Sequence, residues 1–151
     1  MNVVTFNKPP SDKPPIEFIG QCMSIPARGL TEETCRHWSY AFGSVSGKPA
    51  HLAHYLDANR NPVAIKVRFE NKSFMWLGDP SKVSLYGRWL WSPSKKIVIT
   101  EGEIDALTVS QLQQNRWPTV SVANGAQSAA KALKQEFEWL NQFESIVLMF
   151  D

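Results

Sequence analysis

The sequence predicts a mixed α/β protein, with an α+β N-terminal lobe built around an antiparallel meander, followed by a parallel sheet with helices on its faces. Three observations support this prediction. Short strand-like segments separated by turns fill residues 51–77, strands and helices alternate from residue 96 onward, and the strand at 96–100 is a continuous β-branched run. Such runs are typical of parallel strands buried on both faces. At 151 residues with 43% hydrophobic content, the chain is long enough for one sizeable core.

The first segment of the chain is rich in proline and poor in large apolar side chains, so residues 1–17 are predicted to form a flexible arm. Thr31 stands at the expected position of a helix N-cap, because two glutamates follow it. This helix is predicted to run to about Trp38 and to end before residues 43–47, which include two glycines.

The meander is predicted from three segments rich in β-branched and aromatic residues. They cover residues 51–56, 63–69 and 73–77, with turns at 57–62 and 70–71 between them. Lys66 and Arg68 are two residues apart in the middle strand, so they are expected on the same face of the sheet.

The second half of the chain alternates strands and helices. Strands are predicted at 96–100, 119–122 and 145–150, with helices at 103–114 and 128–140. Ala129, Leu133, Phe137 and Leu140 are predicted to share one face of the second helix. Short connections of this kind indicate a parallel sheet with right-handed crossovers.

Charge is distributed unevenly along the chain. Residues 48–96 hold nine basic and three acidic side chains, whereas residues 97–151 hold three basic and seven acidic ones. We therefore divide the chain into a basic N-terminal lobe at 18–95, suited to a polyanion, and an acidic region at 96–151, suited to a cation. The alternative is that both are ordinary solvated surfaces.

Several classes of protein and site are not indicated by the sequence. No apolar run approaches the length of a membrane span, and the N-terminus lacks the apolar region of a signal peptide, so a cytoplasmic protein without membrane contact is expected. Cys22 and Cys35 have no companion ligands at zinc-binding spacing, so free thiols are predicted and no zinc site. No Gly-rich phosphate loop of the NTPase type is present.

Two carboxylates follow predicted parallel strands directly. Glu101 comes after 96–100 and Asp151 after 145–150. If these strands are neighbours, both carboxylates reach one crevice at the carboxyl edge of the sheet, where a Mg²⁺ ion would neutralise their repulsion. Gly102 is expected to let the backbone turn sharply there. Glu103 and Asp105 are attributed chiefly to the helix dipole, which favours acids in a first turn.

These residues carry a family resemblance. The stretch KKIVITEGEIDALTVSQLQ at 95–113, with a later apolar strand ending in Asp151, resembles the Toprim domain of primases and topoisomerases. Upstream, the words ARG (27–29), EETC (32–35), IKVR (65–68) and YGRWLW (86–91) resemble the primase part of the bifunctional primase-helicases of short-tailed phages. The similarity covers about residues 23–151.

The resemblance implies a DNA primase that synthesises RNA primers from ribonucleoside triphosphates on single-stranded DNA, attached to a C-terminal helicase domain and working with replisome proteins. It implies that Glu101 and Asp151 hold the catalytic Mg²⁺ and that Glu101, Lys66 and Lys72 are catalytic. Arg28, Lys66, Arg68 and Lys72 are the residues that it implies for nucleotide and DNA binding.

The sequence departs from the family pattern in two ways. In the family, an Asp-x-Asp motif that helps to hold the catalytic metals follows a later strand, and its first Asp corresponds to Asp151. The chain stops there, before the second Asp of the motif. It also lacks the cysteines of the zinc ribbon found in full-length primases. We therefore expect a fragment whose Toprim domain is truncated at its C-terminus, and whether it is active by itself is left open. Two alternatives stay open, an inactive domain that binds single-stranded DNA or acts as a scaffold, and a Toprim nuclease or topoisomerase.

The aromatic and histidine side chains are given structural roles. Trp76, Trp89 and Trp91 are predicted to pack in the core rather than to stack on bases. The three histidines lack metal-ligand spacing with the cysteines, and they are predicted to be structural or exposed.

Overall fold

Two sheets form the framework of the protein in the computed structural model, which describes residues 16–151. The predicted arm at 1–17 lies outside the described residues except for its last two, of which Ile16 packs against a core cluster. The first sheet is antiparallel, with strand order β1-β2-β3-β4, and the second is parallel, with order β6-β5-β7. The predicted fold class is thus confirmed.

The antiparallel sheet follows a short helix. Its elements are α1 (Glu32–His37), β1 (Tyr40–Val45), β2 (Lys48–Leu56), β3 (Pro62–Phe69) and β4 (Phe74–Gly78). The Thr31 side chain caps α1 by accepting a hydrogen bond from the backbone N–H of Thr34, as its position in the sequence predicts.

Strand β1 was not predicted, because the glycines at 43 and 47 were interpreted together as the end of the helix. Gly43 instead lies within β1, opposite Ala50 of β2. The turn is limited to Ser46 and Gly47, with φ angles of 51° and 74°. Two consecutive residues with positive φ form a tight hairpin turn whose twist matches that of the flanking strands.

The parallel sheet is built from β5 (Lys96–Thr100), α2 (Glu103–Leu112), β6 (Thr119–Ser121), α3 (Ala126–Gln135), α4 (Phe137–Leu140) and β7 (Ser145–Met149). β5 lies in the centre, and its last four residues are buried. It pairs with β6 from Val98 to Thr100 and with β7 along its whole length. β7 is an edge strand whose five side chains are exposed, although its apolar run resembles that of a buried strand.

The prediction of one helix over 128–140 is wrong. The helical segment begins at Ala126 and is broken at Glu136 into α3 and α4. The carboxylate of Glu136 accepts a hydrogen bond from the Ser84 hydroxyl and pairs with the Arg88 guanidinium, so tertiary contacts hold this residue at the break. As a result, Phe137 does not share the buried face of Ala129 and is 63% exposed.

The core has three clusters of buried side chains. One of them joins the two halves of the fold, since it contains Tyr55 of β2 in the first sheet together with Ala106 and Leu107 of α2, the helix between β5 and β6 of the second sheet. Trp89 is buried in this cluster, and Trp76 and Trp91 pack against it, as predicted. Within residues 16–151 no helix is long and apolar enough to span a membrane.

Candidate functional site

A cleft of about 520 Å³ opens between the antiparallel sheet and the first turn of α2. Its floor comes from β2 and β3, where antiparallel register places His51 opposite Arg68 and Ala53 opposite Lys66. Alternation along β3 puts Lys66 and Arg68 on the same face, towards the cleft. The charged side chains that line it are Arg28, Lys66, Arg68, Glu70, Lys72, Glu103 and Asp105.

Four of these lining residues are the cations that the family resemblance implies for nucleotide and DNA binding. Arg28, Arg68 and Lys72 are exposed. Within residues 16–151, no ion pair or side-chain hydrogen bond joins these three to a neighbour. Their charges are therefore directed into solvent at the cleft, where an anion can reach them.

Lys66 differs from the other three cations because its charge is already paired. Its ammonium donates to the Glu103 carboxylate at 2.9 Å and to the carbonyl oxygen of Ala123 at 2.6 Å. The Lys66 side chain is only 12% exposed, and the ring centroid of Phe74 lies 5.1 Å from the ammonium nitrogen. Lys66 thus connects β3 of the first sheet to two segments at the carboxyl edge of the second.

Glu103 has a larger role than the sequence suggested. It is 8% exposed, and the same carboxylate oxygen that binds Lys66 also accepts the Tyr55 hydroxyl at 2.7 Å. A buried carboxylate needs such partners because burial removes its hydration. The helix dipole is therefore not the only interaction that stabilises the Glu103 carboxylate. Strand alternation in 51–56 puts Tyr55 on the same face as His51, and this alternation is the sequence signal for both residues.

The predicted acidic edge lies beside the cleft. β5 and β7 are neighbours, so Glu101 and Asp151 follow adjacent strands at one edge of the sheet. Burial raises the pKa of Asp105, and repulsion from Asp151 and Glu101 raises it further, against a backbone hydrogen bond from Gly102 and the charge of Arg28. Asp105 therefore experiences the field of both predicted metal ligands, which the sequence analysis did not anticipate.

Gly102 does not act in the way that the sequence suggested. Its φ of −128° and ψ of 159° are extended values that any residue adopts, so an unusual backbone conformation is not the reason for glycine here. An added Cβ would lie 3.0 Å from a carboxylate oxygen of Asp105, so a larger residue here requires a small shift of the Asp105 side chain. On the other side of the edge, a Cβ at Gly125 would lie 3.9 Å from the Glu101 carboxylate.

The carboxylates do not form a complete metal cage. Among residues 16–151, no group of three or more His, Cys, Asp or Glu side chains is arranged to hold a metal ion. Mg²⁺ in nucleotide-handling sites commonly takes only one or two carboxylates and completes its shell with water and substrate phosphates. The oxygen ligands offered by Glu101 and Asp151 fit an ion of that kind.

Two of the three histidines, His51 and His54, form side-chain hydrogen bonds. His51 lines the cleft, and its Nδ1 lies 2.8 Å from the Tyr40 hydroxyl. Burial lowers the pKa of His51, and the charges of Arg68 and Arg28 lower it further. His54 is fully buried between the backbone carbonyl of Ser39 and the N–H of Ile19. His51 was expected to be structural or exposed, and the structure places it in the lining of the cleft.

Comparisons with known proteins bear on this site. A family model for the N-terminal a+b fold of the bacteriophage T7 DNA helicase/primase matches residues 20–78. The chain is 42% identical over 132 residues to the DNA helicase/primase of Enterobacteria phage T3. The matched region is 87% of this chain and 23% of the phage T3 protein.

Solved structures give the same result. The crystal structure of the primase fragment of the bacteriophage T7 primase-helicase matches with a TM-score of 0.82 and 44% identity, over 87% of this chain and 55% of that one. Primase domains bound to an RNA/DNA hybrid and dTTP, in a complex with the phage T7 lagging-strand DNA polymerase, match with a TM-score of 0.82 and 43% identity. That match covers 87% of this chain and 60% of the other.

Proposed function

This chain belongs to the family of the bacteriophage DNA helicase/primases, and we propose that it contributes the catalytic cleft of a DNA primase. The reaction is the synthesis of short RNA primers on a single-stranded DNA template. The observation that carries the proposal is a cleft lined by the cations Arg28, Arg68 and Lys72 that extends, at Gly102, to the edge of the sheet where β5 and β7 end.

In the proposed reaction the 3′-hydroxyl oxygen of one ribonucleotide bonds to the α-phosphorus of the next triphosphate. The bond from that phosphorus to the β-phosphate breaks, the hydroxyl loses its proton, and pyrophosphate leaves. Mg²⁺ held by Glu101 and Asp151 would favour the hydroxyl's deprotonation and neutralise charge on the phosphates. Residues 96–151 in this proposal are part of a Toprim-type nucleotidyltransferase domain.

The cations of the cleft bind the anionic reactants. Arg68 and Lys72 lie at the end of β3 and in the turn after it, and Arg28 is the last residue of a 3₁₀ turn at Pro26–Arg28 that also lines the cleft. Because these three charges have no carboxylate partner among the described residues, a triphosphate or template phosphate gains their attraction without breaking an ion pair. We assign them to substrate binding.

Lys66 has a positioning role in this proposal. Its ammonium fixes the first turn of α2 through Glu103 and the β6–α3 loop through Ala123. Glu101 lies between these two segments, two residues before Glu103 and against Gly125. Lys66 therefore orients the turn that presents the Glu101 carboxylate.

The proposed setting of this activity is the replication of phage DNA in the cytoplasm of the infected bacterium. By similarity to the phage T3 protein, we propose a helicase domain in the same polypeptide and contacts with other replisome proteins. The complex of the phage T7 primase domains with a DNA polymerase supports a partner of that kind.

Primer synthesis is the direct test. The full-length protein is incubated with ribonucleoside triphosphates, Mg²⁺ and single-stranded DNA, and labelled oligoribonucleotides are measured. We expect synthesis by the wild type and a loss of at least about 100-fold in Glu101→Ala, because the metal loses a ligand. Glu138→Ala, in α4 and outside the cleft lining, is the matched control. Equal activity of Glu101→Ala and the wild type would remove the assigned role of Glu101, and an inactive wild type would remove the proposed function.

A further inference from the structure

A second concave surface lies at the opposite edge of the parallel sheet from Glu101. It has a volume of about 840 Å³ and no part in the cleft described above. We call it the amino-end groove, because it is formed where β5 and β6 begin and α2 ends. The lining residues that matter for its chemistry are Lys95, Lys96, Leu112, Arg116 and Trp117.

Two large apolar side chains of this groove are exposed. Leu112 is 80% exposed and Trp117 is 60% exposed, whereas the other tryptophans named above are buried or partly buried. An exposed indole offers a flat face on which a planar group can stack.

The loop that carries Trp117 is anchored at Asn115, two residues earlier. The side chain of Asn115 accepts the Ser110 hydroxyl at 2.9 Å and donates to the Thr34 hydroxyl at 3.0 Å. Its backbone N–H also donates to the carbonyl oxygen of Ser110 at 2.7 Å. The loop is therefore largely ordered before a ligand binds at Trp117. A preformed site binds more tightly, because less conformational entropy is lost on binding.

The charge of the groove is positive. Lys95, Lys96 and Arg116 are exposed, and none of them forms an ion pair within the part of the chain that the structure describes. The lining contains no Asp or Glu. Glu144 lies at the same edge of the sheet, just before β7, but does not line the groove. A ligand with negative charge is thus favoured.

We propose that the amino-end groove binds single-stranded nucleic acid, with a base stacked on Trp117 and phosphates at Lys95, Lys96 and Arg116. Stacking together with backbone neutralisation is the recognised means of binding single strands without sequence preference. An acidic peptide matches the charge, but it does not supply the planar face that Trp117 can stack on. The groove lies one strand length from the acidic edge, roughly 13 Å for β5, so it is a binding site separate from the proposed catalytic cleft.

The test is the affinity of the chain for a labelled oligothymidylate, measured by fluorescence anisotropy over a range of salt concentrations. Trp117→Ala is expected to weaken binding by about 5- to 150-fold, the effect of removing one stacking side chain. The triple variant Lys95→Ala/Lys96→Ala/Arg116→Ala is expected to make the slope of log affinity against log salt shallower by about 2, since each lost phosphate contact on a single strand contributes about 0.7.

Matched controls are available on the same chain. Phe137 is an exposed aromatic outside the groove, and Lys48, Lys82 and Lys134 are exposed cations outside it. Phe137→Ala and the triple alanine variant of these lysines are expected to bind like the wild type. The groove substitutions are also introduced into an Arg68→Ala/Lys72→Ala variant. The same fold loss of oligothymidylate affinity is expected in that background, because the groove and the cleft are separate sites.

Two results would overturn the proposal. The first is an unchanged affinity of Trp117→Ala and of the groove triple variant relative to their controls. The second is an oligoglutamate probe that binds as tightly as the oligothymidylate and depends equally on Trp117, which would make the groove a peptide site. Neither result depends on primer synthesis, so the proposed function is tested independently.

Discussion

At the scale of single residues, the buried contact between Lys66 and Glu103 distinguishes this cleft. Glu103 receives two hydrogen-bond donors on one oxygen, from Lys66 and from Tyr55. Both partners of the ion pair are largely removed from water, at 12% and 9% side-chain exposure. Removing one partner of such a pair leaves an uncompensated charge in a poorly solvated place.

A double-mutant cycle tests this contact. Lys66→Ala and Glu103→Ala are each expected to lower the free energy of unfolding by about 3–5 kcal/mol, because one charge is left buried without its partner. The loss in the double variant is expected to be smaller than the sum of the two by about 1–3 kcal/mol. Urea unfolding of the four proteins gives these values.

The exposed pair Glu32 and Arg36 on α1 is the matched control for this cycle. Their carboxylate and guanidinium lie 2.8 Å apart, but the side chains are 52% and 67% exposed. A much smaller coupling is expected there, because water screens exposed charges. Additive losses at Lys66 and Glu103 would show that their contact does not stabilise the fold.

At the scale of elements, the segment between β4 and β5 joins the two sheets by packing. Gly87 precedes a 3₁₀ turn at Arg88–Leu90 and has a φ of 87°. The backbone of Tyr86, one residue earlier, pairs with Ser121 of β6. The buried ring of Trp38, just after α1, lies against Gly87, so that an added Cβ would come within 2.2 Å of it.

Gly87→Ala is therefore expected to destabilise the protein strongly. A strained backbone of this kind costs about 1 kcal/mol or more, and displacement of a packed indole adds about 1–3 kcal/mol. Gly29→Ala is the control, since Gly29 has a φ of 65° but nothing within 4 Å of its added Cβ. Thermal unfolding of both variants separates the two contributions, and equal losses would contradict the packing argument.

At the scale of the whole molecule, the three histidines link stability to pH. Burial is the main cause that lowers the pKa of His37, His51 and His54. In His54 the Nε2 atom accepts a hydrogen bond from Ile19, and a proton on that nitrogen would remove it. The folded state therefore binds fewer protons than the unfolded state near the ordinary pKa of histidine, about 6.5.

The free energy of unfolding is consequently expected to fall as the pH decreases from about 7.5 to 5.5. The sign follows because the unfolded state binds more protons in this range, so stability rises with pH. Urea unfolding at several pH values measures the slope. His54→Gln is expected to be less stable at neutral pH but to show a smaller slope. A slope unchanged by this substitution would exclude His54 as a contributor.

Much of this architecture is determined by the sequence alone. Apolar runs, turns and the Thr31 cap are local signals, so α1, strands β2 to β4 and the alternation from β5 to β7 were predicted from them. Glu101 and Asp151 were predicted to meet because parallel strands share one carboxyl edge, and their strands are neighbours. The placement of Lys66 and Arg68 on one face of β3 follows from alternation in the same way.

Only the tertiary structure decided the rest. The break at Glu136, the exposed face of β7 and strand β1 depend on what each segment packs against, which periodicity along one segment does not record. The pairing of Glu103 with Lys66 and with Tyr55 joins residues 37 and 48 positions apart. Such pairs form because burial requires partners for a carboxylate, and only the folded chain determines which side chains are near enough to serve.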